Sequence, residues 1–263
     1  MELNYYLILQ KKMKDIIRSY QDALAIRCEL ALTQTNGWHF LYRGHSSTNF
    51  KLLSMVGRKK PYNNDLLDSE CRCFNEFKGL VKVEKWQKFK INSYNDNMFY
   101  MSIGRHLGLD CRLLDWSAKI ETALYFASFN DELSEENGHL WVMCYPKSID
   151  DANAQKDPFS VNSFTLVKED FWSTDDIPID NQPLGIARRF SQNGFFTIAP
   201  TEQLTIPLDE LGMGDVHFLP FTITPNAKED IRKHLHGYGD NLHLSTSCRI
   251  EKEIKEINSK YFK

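Results

Sequence analysis

The apolar positions Leu9, Met13, Ile16, Ile17, Tyr20, Leu24, Cys28 and Leu32 recur in steps of three and four. With lysines and aspartates between them, that spacing predicts one long helix over residues 2–34. Asn36-Gly37 ends it, because glycine readily takes the left-handed conformation at a helix terminus. Trp38-His39-Phe40-Leu41-Tyr42 then alternates bulky β-formers and predicts a strand. Arg43-Gly44 closes that strand, and His45 to Asn49 reads as a polar loop. Leu66, Leu67, Cys71, Phe74, Phe77, Leu80 and Val81 predict a helix over 64–90. A second helix follows over 95–107, with Asn95 as its cap and Gly108 as its stop. Cys111 to Leu114 predicts a short strand interrupted by Arg112. A helix over 118–130 comes next, capped by Asp115 or Ser117, and then a buried strand over His139 to Tyr145.

The pattern loosens over 147–184. Eight acids and two lysines lie between Asp150 and Leu184, with Pro158, Pro178 and Pro183, which predicts a surface excursion with one strand near 162–167. Residues 186–190, 194–198 and 217–223 predict successive strands. Pro225 opens a helix to about His236, with Asn226 and Glu229 as a capping pair. A last helix carries Ile250, Ile254 and Ile257 on one face. The order of elements predicts a single α+β domain, a mixed or antiparallel sheet core flanked by helices. Residues 1–36 form an N-terminal helical extension packed on a domain of residues 37–263.

Composition narrows the function classes. The 263 residues are 42% hydrophobic and 25% charged, enough for a sizeable core and against disorder. A formal charge of −3 supplies no global field toward nucleic acid or anionic membrane, although a local basic patch stays open. No apolar run approaches the roughly 20 residues of a membrane span, so no membrane partner is expected. Glu2 precedes the short apolar patch and lysines follow it, the wrong order for a secretory signal. The six cysteines then read as free thiols and the location as cytoplasmic. Cys71-x-Cys73 lacks a matching Cys/His pair, so no metal is expected.

Candidate chemistry concentrates in GRHLGLDCRLLDWSAKIETALYFA (104–127). Arg105, His106, Asp110, Arg112, Asp115 and Trp116 crowd a segment otherwise apolar enough to be core. Such groups either pair with one another or do chemistry. His106, near a helix C-terminus, is a general-base candidate or a structural hydrogen-bonding residue. Arg112 and Asp115 would face opposite sides of a straight strand, so each needs a partner elsewhere. Arg43, at a strand end before Gly44 and a hydroxyl-rich loop, offers a planar fork of donors to a phosphate or carboxylate. Its bland alternative is a structural pair, with Asp115 the obvious partner. Gln192, before Asn193-Gly194, can present an amide to a ribose or a base edge, while Asn193-Gly194 reads as a hairpin turn. No Walker loop, dinucleotide glycine motif or nucleophile elbow is present.

LYRGHSSTNFKLLSMVGR (41–58), HLGLDCRLLDWSAKIETALYFA (106–127) and RRFSQNGFFTIAP (188–200) together resemble the FRG domain family over roughly 38–247. That family pairs an aromatic-Arg-Gly motif with His-x-Gly, an Arg-Leu-Leu-Asp-Trp block and an Ala-Leu-x-Phe-Ala helix. Tyr42 stands in place of the aromatic Phe, and Asp110-Cys111 replaces the usual Pro-Thr. The order of these pieces is also similar to the ADP-ribosyltransferase fold. That likeness implies an NAD-using enzyme in a bacterial or phage defence or toxin context, acting on a nucleotide ligand or macromolecular acceptor. In it Arg43 holds the pyrophosphate, with Gly44, Arg112, Asp115 and Ser117 around the cofactor. Trp116 or Tyr42 stacks on the nicotinamide, and Gln192 or Glu202 bonds the ribose. The alternative is a non-enzymatic anion- or nucleic-acid-binding sensor, using Arg43, Arg58, Arg105, Arg112, Arg188 and Arg189. A metal-dependent nuclease built on Asp110 and Asp115 is the weakest reading, for want of a third carboxylate.

Overall fold

A computed structural model describes residues 15–34, 37–83, 96–149, 157–168, 194–241 and 249–263. In chain order the strands are β1 (Ile16–Ile17), β2 (Trp38–His45), β3 (Leu114–Ser117), β4 (Gly138–Pro146), β5 (Thr165–Lys168), β6 (Gly194–Ile198) and β7 (His217–Ile223). The helices are α1 (Tyr20–Gln34), α2 (Leu66–Val83), α3 (Asp96–Leu107), α4 (Ile120–Ser128), α5 (Pro225–His234), α6 (Tyr238–Asn241) and α7 (Arg249–Tyr261). The architecture is α+β, with both parallel and antiparallel strand pairs. No described helix is long and apolar enough to cross a membrane.

The chain divides into two compact units, each with its own apolar core. The first comprises residues 1–51, 116–149 and 212–241. Its centre is β4, antiparallel to β2 from Trp38↔Pro146 to His45↔His139 and to β7 from Gly138↔Ile223 to Cys144↔His217. β1 extends β7 in parallel, and β3 meets β2 at Tyr42↔Ser117. Period-2 alternation sends Phe40, Tyr42, Leu140, Val142, Leu219 and Phe221 into a core shared with α1, α4 and α5. Leu41, Arg43 and His45 take the opposite face, level with Met143, Trp141 and His139.

The second unit comprises residues 52–115, 150–211 and 242–263. Helices α2, α3 and α7 and the antiparallel pair β5–β6 close over Phe74, Phe77, Phe99, Phe196 and Ile254.

Several elements differ from the sequence expectation, each for a local reason. The helix expected over 2–34 begins only at Tyr20, and its expected first part, 2–14, lies outside the described residues. Ile16–Ile17 instead adds an edge strand to β7, and Ser19 Oγ accepts the Asp22 amide at 3.2 Å as a helix cap. β2 runs through His45, so part of the expected loop is strand. The strand expected at Cys111–Leu114 forms three residues later, at Leu114–Ser117. Its expected start is diverted, because the Arg112 amide donates to Glu70 Oε1 and the Cys111 carbonyl accepts from Val56. The cap of α5 is Thr224, whose Oγ1 accepts the Ala227 amide, rather than Asn226 with Glu229. Strands 194–198 and 217–223 lie where the alternation puts them; the expected strand 186–190 is outside the described residues.

Candidate functional site

In the first unit the candidate site is the end of β2 and the turn after it. A β-carbon built on Gly44 would lie 1.8 Å from the Ala123 carbonyl oxygen and 2.8 Å from the Ala127 nitrogen. Only glycine lets the strand rest directly on the backbone of α4, and small Ala123 and Ala127 keep the helix close. Gly44 therefore serves packing. Tyr42 points the same way as Gly44 and is 6% exposed in the core. Burial pushes its hydroxyl well above the usual tyrosine range. Its ring therefore lies on the opposite face from Arg43, and the expected sharing of one ligand by the two fails through strand alternation.

Arg43 is half-buried, on the other face. Its Nε donates to His45 Nε2 at 3.0 Å, and His45 Nδ1 lies 3.1 Å from the Phe50 carbonyl oxygen. Because Arg43 is always a donor there, Nε2 is the acceptor and Nδ1 carries the proton. That tautomer braces the guanidinium plane from below.

The turn is pinned from underneath. Lys228, on α5, is 0% exposed, and its Nζ donates to Ser46 O at 2.6 Å and Leu133 O at 2.7 Å. Burial lowers its pKa, and Glu136 pulls partly the other way. Ser47 Oγ donates to Glu136 Oε2 at 2.6 Å, and the Thr48 amide donates to the Asn137 carbonyl. Gly138 leaves room for this arrangement, since a β-carbon there would stand 2.7 Å from His45 O.

Trp116 is 3% exposed, its ring centroid 5.7 Å from Phe218. It shares the Arg43 face but is packed into it, so stacking on a nicotinamide would require that packing to open. Ser117 Oγ accepts the Lys119 amide at 3.0 Å, a turn-stabilising contact.

The remaining sequence candidates lie in the second unit. Arg112 is sealed from solvent with Glu70. Its Nε and Nη2 meet the Glu70 carboxylate at 2.7–3.2 Å, and its Nη1 donates to Pro158 O and Thr201 Oγ1. The Phe159 ring stacks under the guanidinium at 4.9 Å. Its expected role as a cofactor ligand is replaced by a structural one, because Glu70 neutralises it inside the core. A pocket beside it, lined by Leu52, Ser54, Leu114, Thr197 and Leu208 among others, has room for about one water. Asp115 is the partner of Arg105, whose Nε donates to Oδ2 at 2.8 Å; it neither caps α4 nor stands open as a cofactor ligand. Burial, the largest single influence, would lower the Arg105 pKa; the charge and hydrogen bond of Asp115, with Cys111 and Asp110, together outweigh it and raise it. Asp110 is buried 3.3 Å from Lys59 Nζ. His106 is half-buried with its ring 5.7 Å from Phe196, and Glu202 lies in a short 3-10 turn, Thr201–Gln203. Gln192 lies outside the described residues. Among the described residues no group of three or more His, Cys, Asp or Glu side chains could hold a metal ion.

Sequence reasoning missed His45, Lys228 and Glu70. His45 carried a signal, since extending the alternation of β2 by one step puts it level with Arg43. Glu70 also carried one, at the apolar spacing of Leu66, Cys73 and Phe77.

The FRG domain family matches residues 38–136, stopping short of the 188–200 segment that the sequence resemblance included. No curated protein and no solved structure matches the chain. With Gly44 seated on α4 and the segments 41–58 and 106–127 inside the matched stretch, residues 38–136 of this chain match the FRG domain family.

Proposed function

We propose that the protein binds a nucleotide-type anion at Arg43, with NAD and its ADP-ribose moiety as the ligand class. The observation that carries this reading is the bracing of Arg43. A half-buried arginine is oriented by a histidine whose tautomer is itself set by the Phe50 carbonyl. Orienting an arginine in advance removes rotamer entropy from the binding step and suits a phosphate oxygen pair. Beneath it, a fully buried lysine holds the turn, a cost that a passive surface loop does not require.

Binding without transfer is favoured over an ADP-ribosyltransferase. Transfer needs a carboxylate or amide at the ribose, and the carboxylate that meets this turn, Glu136, already accepts from Ser47. The transferase reading, and with it a defence or toxin role, keeps the same Arg43 contact and adds chemistry through Gln192 or Glu202. One assay separates the two. Calorimetric titration with NAD and ADP-ribose is expected to show binding that Arg43→Gln removes, without nicotinamide release. Nicotinamide release with ADP-ribose appearing on an acceptor, both lost in Arg43→Gln, would establish the transferase instead. Absence of binding by the wild-type chain would refute both.

A further inference from the structure

Trp141 lies directly opposite Arg43 in the β2–β4 ladder. Opposed residues of antiparallel strands place their β-carbons about 4.5–5.5 Å apart on one face, so both side chains serve the same patch. Trp141 is only 7% exposed, yet its Nε1–H has no acceptor among the described residues. A buried indole N–H is nearly always paired, since leaving it unmet forfeits its hydration without return. The ring is not loosely held: His139 packs edge-on against it at 5.4 Å. On its other side, the residue level with Trp141 is Pro220 of β7, which has no N–H.

We propose that the Trp141 indole N–H is a ligand-binding donor, and that Arg43 and Trp141 together clamp two oxygens of one phosphate or pyrophosphate group. Both side chains donate and have no atom that accepts, so the pair suits a group that only accepts. A phosphate, whose oxygens only accept, meets that demand; a ribose hydroxyl or carboxamide brings a donor that this pair leaves unmatched. The clamp rests on the nucleotide reading and adds to it the part of the nucleotide that is recognised.

The test compares wild type, Arg43→Gln, Trp141→Phe and a chain carrying benzothienylalanine at 141. That last residue replaces the indole nitrogen by sulfur and keeps the ring volume. ADP-ribose and inorganic pyrophosphate are the probes, and thermal unfolding is recorded without ligand. The sulfur analogue is expected to bind both probes about tenfold or more weakly, as for a lost hydrogen bond to a charged group, with an unchanged or higher Tm. Wild-type affinity in the sulfur analogue, with Arg43→Gln still defective, overturns the clamp and leaves the nucleotide reading standing. A Tm lower by several degrees in the sulfur analogue also overturns it, because the N–H then has a partner within the fold. A wild-type chain that binds neither probe overturns both.

Discussion

Gly44 and Ala123 are in backbone contact: a β-carbon on Gly44 would lie 1.8 Å from the Ala123 carbonyl oxygen. This relationship explains why an Arg-Gly pair and an Ala-Leu-Tyr-Phe-Ala helix, 79 positions apart (123 − 44), belong to one structural unit. The glycine seats the strand on the helix, and the preceding arginine is thereby presented on the opposite face. Gly44→Ala is expected to cost about 3 kcal/mol or more, the upper end of overpacking penalties, since a backbone carbonyl cannot move aside as a side chain can. Gly79→Ala is the control. Gly79 lies within α2 with nothing inside 4 Å of a built β-carbon, and the change should stabilise by about 0.5–1 kcal/mol. Calorimetric Tm values in opposite directions from wild type would support the contact.

Arg112 and Glu70 form a fully buried, multiply bonded pair. Removing one partner leaves an uncompensated charge in the core. Arg112→Met alone is therefore expected to destabilise by about 3–5 kcal/mol, and Arg112→Met with Glu70→Leu by markedly less. Equal losses in urea titrations of the single and double variants would argue that the pair is not coupled.

Lys228 satisfies the Ser46 and Leu133 carbonyls from a fully buried position. Lys228→Met should cost about 1–3 kcal/mol by orphaning them, and should weaken ADP-ribose binding because the turn it holds includes the residue after His45. Its lowered pKa also sets a sign. Between that lowered value and the ordinary lysine range near 10.5, the unfolded chain binds more protons than the folded one. This contribution to stability therefore grows as pH rises through that window, and falls away below it. The wild-type minus Lys228→Met stability difference, followed from pH 7 to 10.5, should carry that rising slope; a flat or falling difference would count against the assignment.

Thiol reactivity should follow burial. Cys28 is exposed, whereas Cys73 is fully buried with its thiol pushed up to about 12 by burial first and then by Asp110. Iodoacetamide at pH 8 should label Cys28 quickly and Cys73 only on unfolding. Because the folded Cys73 stays protonated while the unfolded thiol ionises near 9, its contribution to stability is intact below pH 9 and is lost between about 9 and 12. Rapid native-state labelling of Cys73, read by mass spectrometry, would contradict the packing.

Strands with strong alternation were legible from residue types alone: 217–223 and 194–198 lie where expected. The segments 41–58 and 106–127 were legible as well and lie within the stretch that matches the FRG domain family; the segment 188–200 does not. What was not legible is pairing at a distance. Arg112 looked poised for an anion because the apolar spacing of Glu70, 42 positions away (112 − 70), marks it as inward-facing without saying which charge it meets. Asp115 looked like a helix cap because its true partner, Arg105, sits on the preceding helix. Ile16–Ile17 fits a helical stripe, yet edge pairing with β7 wins there because Ser19 caps the helix three residues later. Local pattern decides which residues are apolar on one face; it does not say which distant group neutralises a buried charge.

Nucleotide binding at Arg43 is tested most directly by a crystal structure of the protein grown with NAD. A phosphate oxygen is expected within about 3 Å of the Arg43 guanidinium, with His45 still accepting from Nε. NAD bound elsewhere with Arg43 untouched, or no NAD bound at concentrations that saturate binding in solution, would contradict it.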